Sequence, residues 1–121
     1  MRMNNVYCDN LFVYGTLMHG YSRNYLLQGL SFEKAILYGY RKVFPSTLGF
    51  PFIKKEDTIN IYVEGEVYYG LTPSHWIEID RVEGEGSLYH RILVEVETIP
   101  KRIRLSAFTY YPSQSLVENY S

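Results

Sequence analysis

The segment from Ile61 to Tyr69 constrains the fold most: Ile61, Val63, Val67 and Tyr69 alternate with Tyr62, Glu64, Glu66 and Tyr68. A two-residue period puts alternate side chains on opposite faces of a pleated strand, a pattern that a helix of 3.6 residues per turn cannot hold on one face. Gly65, inside this run, predicts a bulge. The same period returns around Tyr89 to Glu97, with Ile92, Val94 and Val96 on one face. It returns again from Arg102 to Tyr111, where Ile103, Leu105 and Ala107 alternate with Arg102, Arg104 and Ser106. Pro100 and Lys101 mark the turn between those two.

The β-branched and aromatic run from Ala35 to Phe44 predicts a further strand, and Pro45, Gly49 and Pro51 break the stretch after it into turns. Leu11-Phe12-Val13-Tyr14 is a short apolar run closed by Gly15, which suits a strand buried on both faces, although periodicity alone also admits a helix fragment. Two helices are expected. Ser22 is placed to cap a short one carrying Tyr25, Leu26 and Leu27 and stopping at Gly29. The stronger signal is Thr72 as N-cap and Pro73 at the first helical position, with Trp76, Ile79 and Val82 spaced three apart up to Gly84. Five or six strands with two short helices predict an α+β fold, a sheet curled toward a barrel with helices covering its gaps. Residues 1–121 read as one domain, with a core over about 11–111 and a polar C-terminal tail over 112–121.

Composition narrows the function classes. Thirteen Tyr and six Phe among 121 residues favour sheet over helix. A net charge of −1 supplies no field to attract a nucleic acid or an anionic membrane, so the expected partner is a small molecule. The single cysteine, Cys8, rules out an internal disulfide framework, and no apolar run reaches the length of a membrane span. With no secretory pattern at Met1 to Asn10, the expected location is the cytoplasm. His19, His75 and His90 have no familiar metal-site spacing, and the sequence carries no signal of oligomeric state.

Phe12-Val13-Tyr14-Gly15-Thr16-Leu17 puts a glycine turn directly after an apolar strand, so that successive backbone N–H groups can point into a cleft and hold an anion such as a carboxylate. Far downstream, Ile79-Asp80-Arg81-Val82-Glu83-Gly84 closes the Thr72 helix, and Tyr89-His90-Arg91 opens the next strand. If Glu83 ends that helix, the unpaired carbonyls and the negative end of the helix dipole would raise its pKa, making it a better acid/base at neutral pH. Tyr89 and Tyr110 offer apolar faces with polar tips that suit pocket walls.

The ordered combination of Tyr14-Gly15-Thr16-Leu17, Val63-Glu64-Gly65-Glu66-Val67-Tyr68, the D-x-x-E-G element ending in Glu83 and Gly84, and Tyr89 with Arg91 resembles the γ-glutamylcyclotransferase-like family over about residues 11–111. Ala107 and Tyr110 fit that family's last-strand pattern. The resemblance implies a small mixed β-barrel with flanking helices and no cofactor. It also implies substrate binding by Tyr14, Gly15, Thr16 and Leu17, with Glu83 as proton acceptor. The implied reaction closes a γ-glutamyl amine or amino acid to 5-oxoproline and releases the amine. The chain length and the Val63–Tyr68 strand look more similar to the γ-glutamylamine type, whereas Phe44 to Asn60 departs from the family pattern. The alternative is a non-enzymatic small-molecule-binding or interaction domain on the same fold, for which Glu83 would serve no purpose.

Overall fold

The alternating segments close on one another. In the computed structural model, which describes residues 8–45, 51–58, 60–84 and 88–120, five strands form a closed barrel in the order β1-β5-β2-β6-β7. These are β1 (Leu11–Val13), β5 (Tyr62–Tyr68), β2 (Phe32–Tyr38), β6 (Tyr89–Ile99) and β7 (Arg104–Pro112). The barrel is mixed: β1 runs antiparallel to β5 but parallel to β7, meeting it at Leu11 and Phe108, and every other neighbouring pair is antiparallel. A two-stranded sheet of β3 (Tyr40–Val43) and β4 (Phe52–Lys55) lies apart from that order. The expected α+β barrel flanked by short helices is what the chain forms.

Apolar side chains divide into two cores according to the face they occupy. Phe12, Ala35, Leu37, Val63, Val67, Val94, Val96 and Ala107 cluster together, and residues from all five barrel strands meet in this way only inside the barrel. The opposite faces contribute Leu11, Val13, Tyr68, Tyr89 and Tyr110, which pack with Leu17, Leu27, Ile79 and Leu116 from outside the barrel. Gly65 serves this arrangement without the expected bulge, because β2 and β5 pair in unbroken register from Phe32↔Tyr68 to Tyr38↔Tyr62. A Cβ there would stand 2.2 Å from the Val13 carbonyl oxygen and 2.7 Å from Phe12 Cζ, so glycine is what lets β1 and its ring lie against β5.

α1 (Pro73–Glu83) forms where its end signals place it. The His75 N–H donates to Thr72 Oγ1 (3.4 Å) and the Thr72 N–H to His75 Nδ1 (3.0 Å), a reciprocal cap with histidine in the place more often taken by glutamate. Gly84 ends the helix in the left-handed conformation, at φ 65°.

Other expectations shift. Between Ala35 and Phe44 the chain makes two strands, because Gly39 at φ 84° turns it out of the barrel. Ser22 caps nothing: Asn24–Leu27 is a single 3-10 turn preceded by Arg23, without a side-chain cap. The turn expected at Gly49 lies outside the described residues. Where a polar tail was expected, Gln114–Tyr120 forms α2. Its Leu116 is buried in the outer core, and Ser113 Oγ accepts from the Leu116 N–H (3.2 Å). Among the described residues no helix is long and apolar enough to cross a membrane.

Candidate active site

β1 ends at Val13, and the chain then makes two tight turns, with the Met18 N–H donating to the Gly15 carbonyl (3.0 Å) and the Tyr21 N–H to the Met18 carbonyl (3.0 Å), before the Arg23 N–H closes the wider loop on the Thr16 carbonyl (2.8 Å). These bonds leave the amides of Gly15, Thr16 and Leu17 without an acceptor among the described residues. The loop is braced from below by Glu66, a mostly buried carboxylate that accepts from the His19 N–H (2.8 Å) and from the Tyr68 hydroxyl (3.2 Å). Asn24 Nδ2 donates to the Leu17 carbonyl (2.9 Å) and the Tyr68 oxygen (2.8 Å), and Lys42 Nζ holds the Tyr14 carbonyl (2.9 Å). Gly15 lies against Pro51, whose Cγ would sit 3.2 Å from an added Cβ.

The loop forms one wall of a cavity of about 250 Å³, smaller than the ~300–1,000 Å³ of drug-sized sites and suited to one end of a metabolite. Every residue singled out from the sequence lines it: Tyr14, Gly15, Thr16, Leu17, Glu83, Tyr89 and Tyr110. The three tyrosines frame it. Their hydroxyls donate to protein oxygens: Tyr14 to the Tyr110 carbonyl (2.6 Å), Tyr89 to the Pro51 carbonyl (3.0 Å) and Tyr110 to the Asp80 carboxylate. Burial raises all three pKa values well above the ordinary phenol range, so these walls stay neutral.

Asp80 also faces Arg91 at 3.1 Å, and the Arg91 guanidinium lies 4.6 Å from the centre of the Trp76 ring and 5.3 Å from that of Phe108. α1 is thereby pinned to β6 and β7 one turn before Glu83.

Glu83 is the last residue of α1, and its side chain keeps only 12% of its surface exposed. Its pKa is raised. The main cause is burial, which disfavours the ionised form; the Arg23 guanidinium, through its charge and hydrogen bond, acts in the opposite direction. Arg23 Nη1 donates to Glu83 Oε2 at 3.1 Å. Sequence reasoning missed Arg23, Pro51, Val82 and Leu88 as lining residues. No local pattern marks Arg23, Pro51 or Leu88, which the fold brings to the cavity from separate parts of the chain, and Val82 was legible only as an apolar position of α1.

A closed mixed barrel of five strands, with its cavity where the first strand runs into an open amide turn, places the molecule among the AIG2-like barrels. It superposes on the crystal structure of a mouse AIG2-like protein with a TM-score of 0.75, at 18% identity, covering 93% of this chain and 84% of that one. An Arabidopsis thaliana protein solved in solution gives 0.74 at 23% identity, covering 92% of this chain and 72% of the other. A gamma-glutamyl cyclotransferase gives 0.71 at 20% identity, covering 88% and 68%. At these identities the likeness is one of fold. No curated protein sequence matches the chain. The profile of the family described as gamma-glutamyl cyclotransferase, AIG2-like, matches residues 11–120, and the chain belongs to that family.

Proposed function

We propose that the protein cyclises a γ-glutamyl amine or γ-glutamyl amino acid to 5-oxoproline, releasing the amine, with Glu83 as the acid/base. The observation that carries this reading is a mostly buried carboxyl group of raised pKa lining the same cavity as Gly15, Thr16 and Leu17, whose backbone amides have no acceptor among the described residues. The amides of Gly15, Thr16 and Leu17 suit the α-carboxylate of the glutamyl end. That contact sets the α-nitrogen near the γ-carbonyl, and because both belong to one molecule, much of the entropic barrier to attack is already met.

The α-ammonium gives one proton to the Glu83 carboxylate, and the freed lone pair attacks the γ-carbon while the carbonyl electrons move to oxygen. When the oxyanion collapses, the bond to the leaving nitrogen breaks and Glu83 returns the proton to that nitrogen. The new ring nitrogen sheds its remaining extra proton, and the departing amine takes up another in water. Glu83 begins and ends the cycle as carboxylate. The tyrosine walls keep bulk water from the carboxyl group and preserve its raised pKa.

The test is 5-oxoproline release, followed by mass spectrometry, from a panel of γ-glutamyl amino acids and γ-glutamyl amines. Glu83→Gln, which keeps the shape of the side chain, is expected to lose about 100-fold or more in rate. Equal release by parent and variant would remove Glu83 from the chemistry. No release from any substrate by the parent protein would leave a binding pocket.

A further inference from the structure

Arg23 and Glu83 are the only charged side chains lining the cavity among the described residues. They stand 60 residues apart in sequence, and their pairing is held by backbone structure. The Arg23 N–H is bonded to the Thr16 carbonyl (2.8 Å), its own carbonyl accepts from Leu26 (3.1 Å), and the adjacent Asn24 is tied to Leu17 and Tyr68. The guanidinium therefore rides on the same braced turn as the open amides. The pair is lopsided: the Arg23 side chain is 44% exposed at the rim, whereas Glu83 is 12% exposed. An opposite charge acts strongly on a carboxylate whose own surroundings are poor in water.

The other groups facing Glu83 are Tyr14 at the end of β1, Tyr89 on β6 and Tyr110 on β7, all neutral. Burial favours the protonated acid, and among these neighbours only Arg23 favours the carboxylate. We infer that Arg23 is a positioning residue for the cyclisation, holding Glu83 ionised and in place at the cavity wall until the substrate ammonium delivers its proton; this rests on the reading of Glu83 as the acid/base. The ion pair weakens when that proton arrives, which frees the carboxyl group to reach the leaving nitrogen. It re-forms once the proton has left with the amine.

Two measurements on the parent, Arg23→Met and Arg23→Lys test this. The first is a titration of the Glu83 carboxyl carbon by NMR, in protein labelled at glutamate. The second is the pH profile of kcat/KM for 5-oxoproline release. The Glu83 midpoint is expected to move upward in Arg23→Met and to return toward the parent position in Arg23→Lys. The acid limb of kcat/KM should follow, so that Arg23→Met loses about tenfold at its acid end and Arg23→Lys regains most of that loss.

An unmoved midpoint with an active parent would overturn the role given to Arg23 and keep the reaction. A moved midpoint with no 5-oxoproline from the parent would sink the reaction and keep the coupling. A KM increase confined to substrates whose leaving group bears a carboxylate, with the acid limb unmoved, would make Arg23 a substrate-binding cation and overturn the inference.

Discussion

Glu83 experiences two opposed influences, and which one dominates decides how the protein responds to acid. Burial raises its pKa in the fold despite the nearby guanidinium, so the folded chain binds this proton more tightly than the unfolded chain does. The stabilisation that follows is complete below the ordinary glutamate range, near pH ~4, and is lost as pH rises through the higher folded-state value. The ionised carboxylate therefore weakens the fold at neutral pH. Glutamine cannot ionise, so the difference in Tm between Glu83→Gln and the parent should favour the variant more at pH 7 than at pH 4. A difference that stays flat across that interval would mean the carboxyl group has an ordinary pKa. Glu83 was legible because a helix-end signal and a sequence element coincide on it; the cause of its pKa was not, since burial belongs to the assembled fold. Arg23 was illegible for the same reason: nothing near it in sequence mentions a partner 60 residues away.

Individual elements were legible where their determinants are local. Thr72, Pro73 and Gly84 fix α1 by satisfying its own end groups, and the helix runs between them. The strand at Ile61 to Tyr69 was equally plain from its alternation, yet Gly65 within it was misread. A glycine in a strand signals either a bulge or a close approach, and only the position of Phe12 decides between them. Gly65→Ala must displace the Val13 carbonyl and the Phe12 ring, both held in the barrel wall, and should destabilise the protein by about 3 kcal/mol in a denaturant titration. A change under ~0.5 kcal/mol would mean that β1 shifts freely against β5. α2 escaped notice because, among its described side chains, only Leu116 and Val117 pack on the core, too few for a helical period to emerge.

For the whole molecule, the α+β class and a sheet curled toward a barrel followed from composition and periodicity, whereas the strand pair that closes the barrel did not. The parallel contact between β1 and β7 joins residues nearly a whole chain apart, Leu11 to Phe108, and no pattern in either strand announces it. The two-stranded sheet of β3 and β4 was hidden similarly, behind one left-handed glycine.

β1 is three residues long, bridges β5 and β7, and continues directly into the Gly15–Leu17 turn. Shutting the barrel and building the pocket are thus one event. Fluctuations that lift β1 away would erase the cavity as they open the wall, so anything bound there would act as a latch on the cylinder. Amide hydrogen exchange at Phe12 and Val13 should slow when a cavity ligand is present, in proportion to its occupancy, while the β3–β4 hairpin exchanges at an unchanged rate. Equal slowing in both places would mean that the barrel and its outlying hairpin open together.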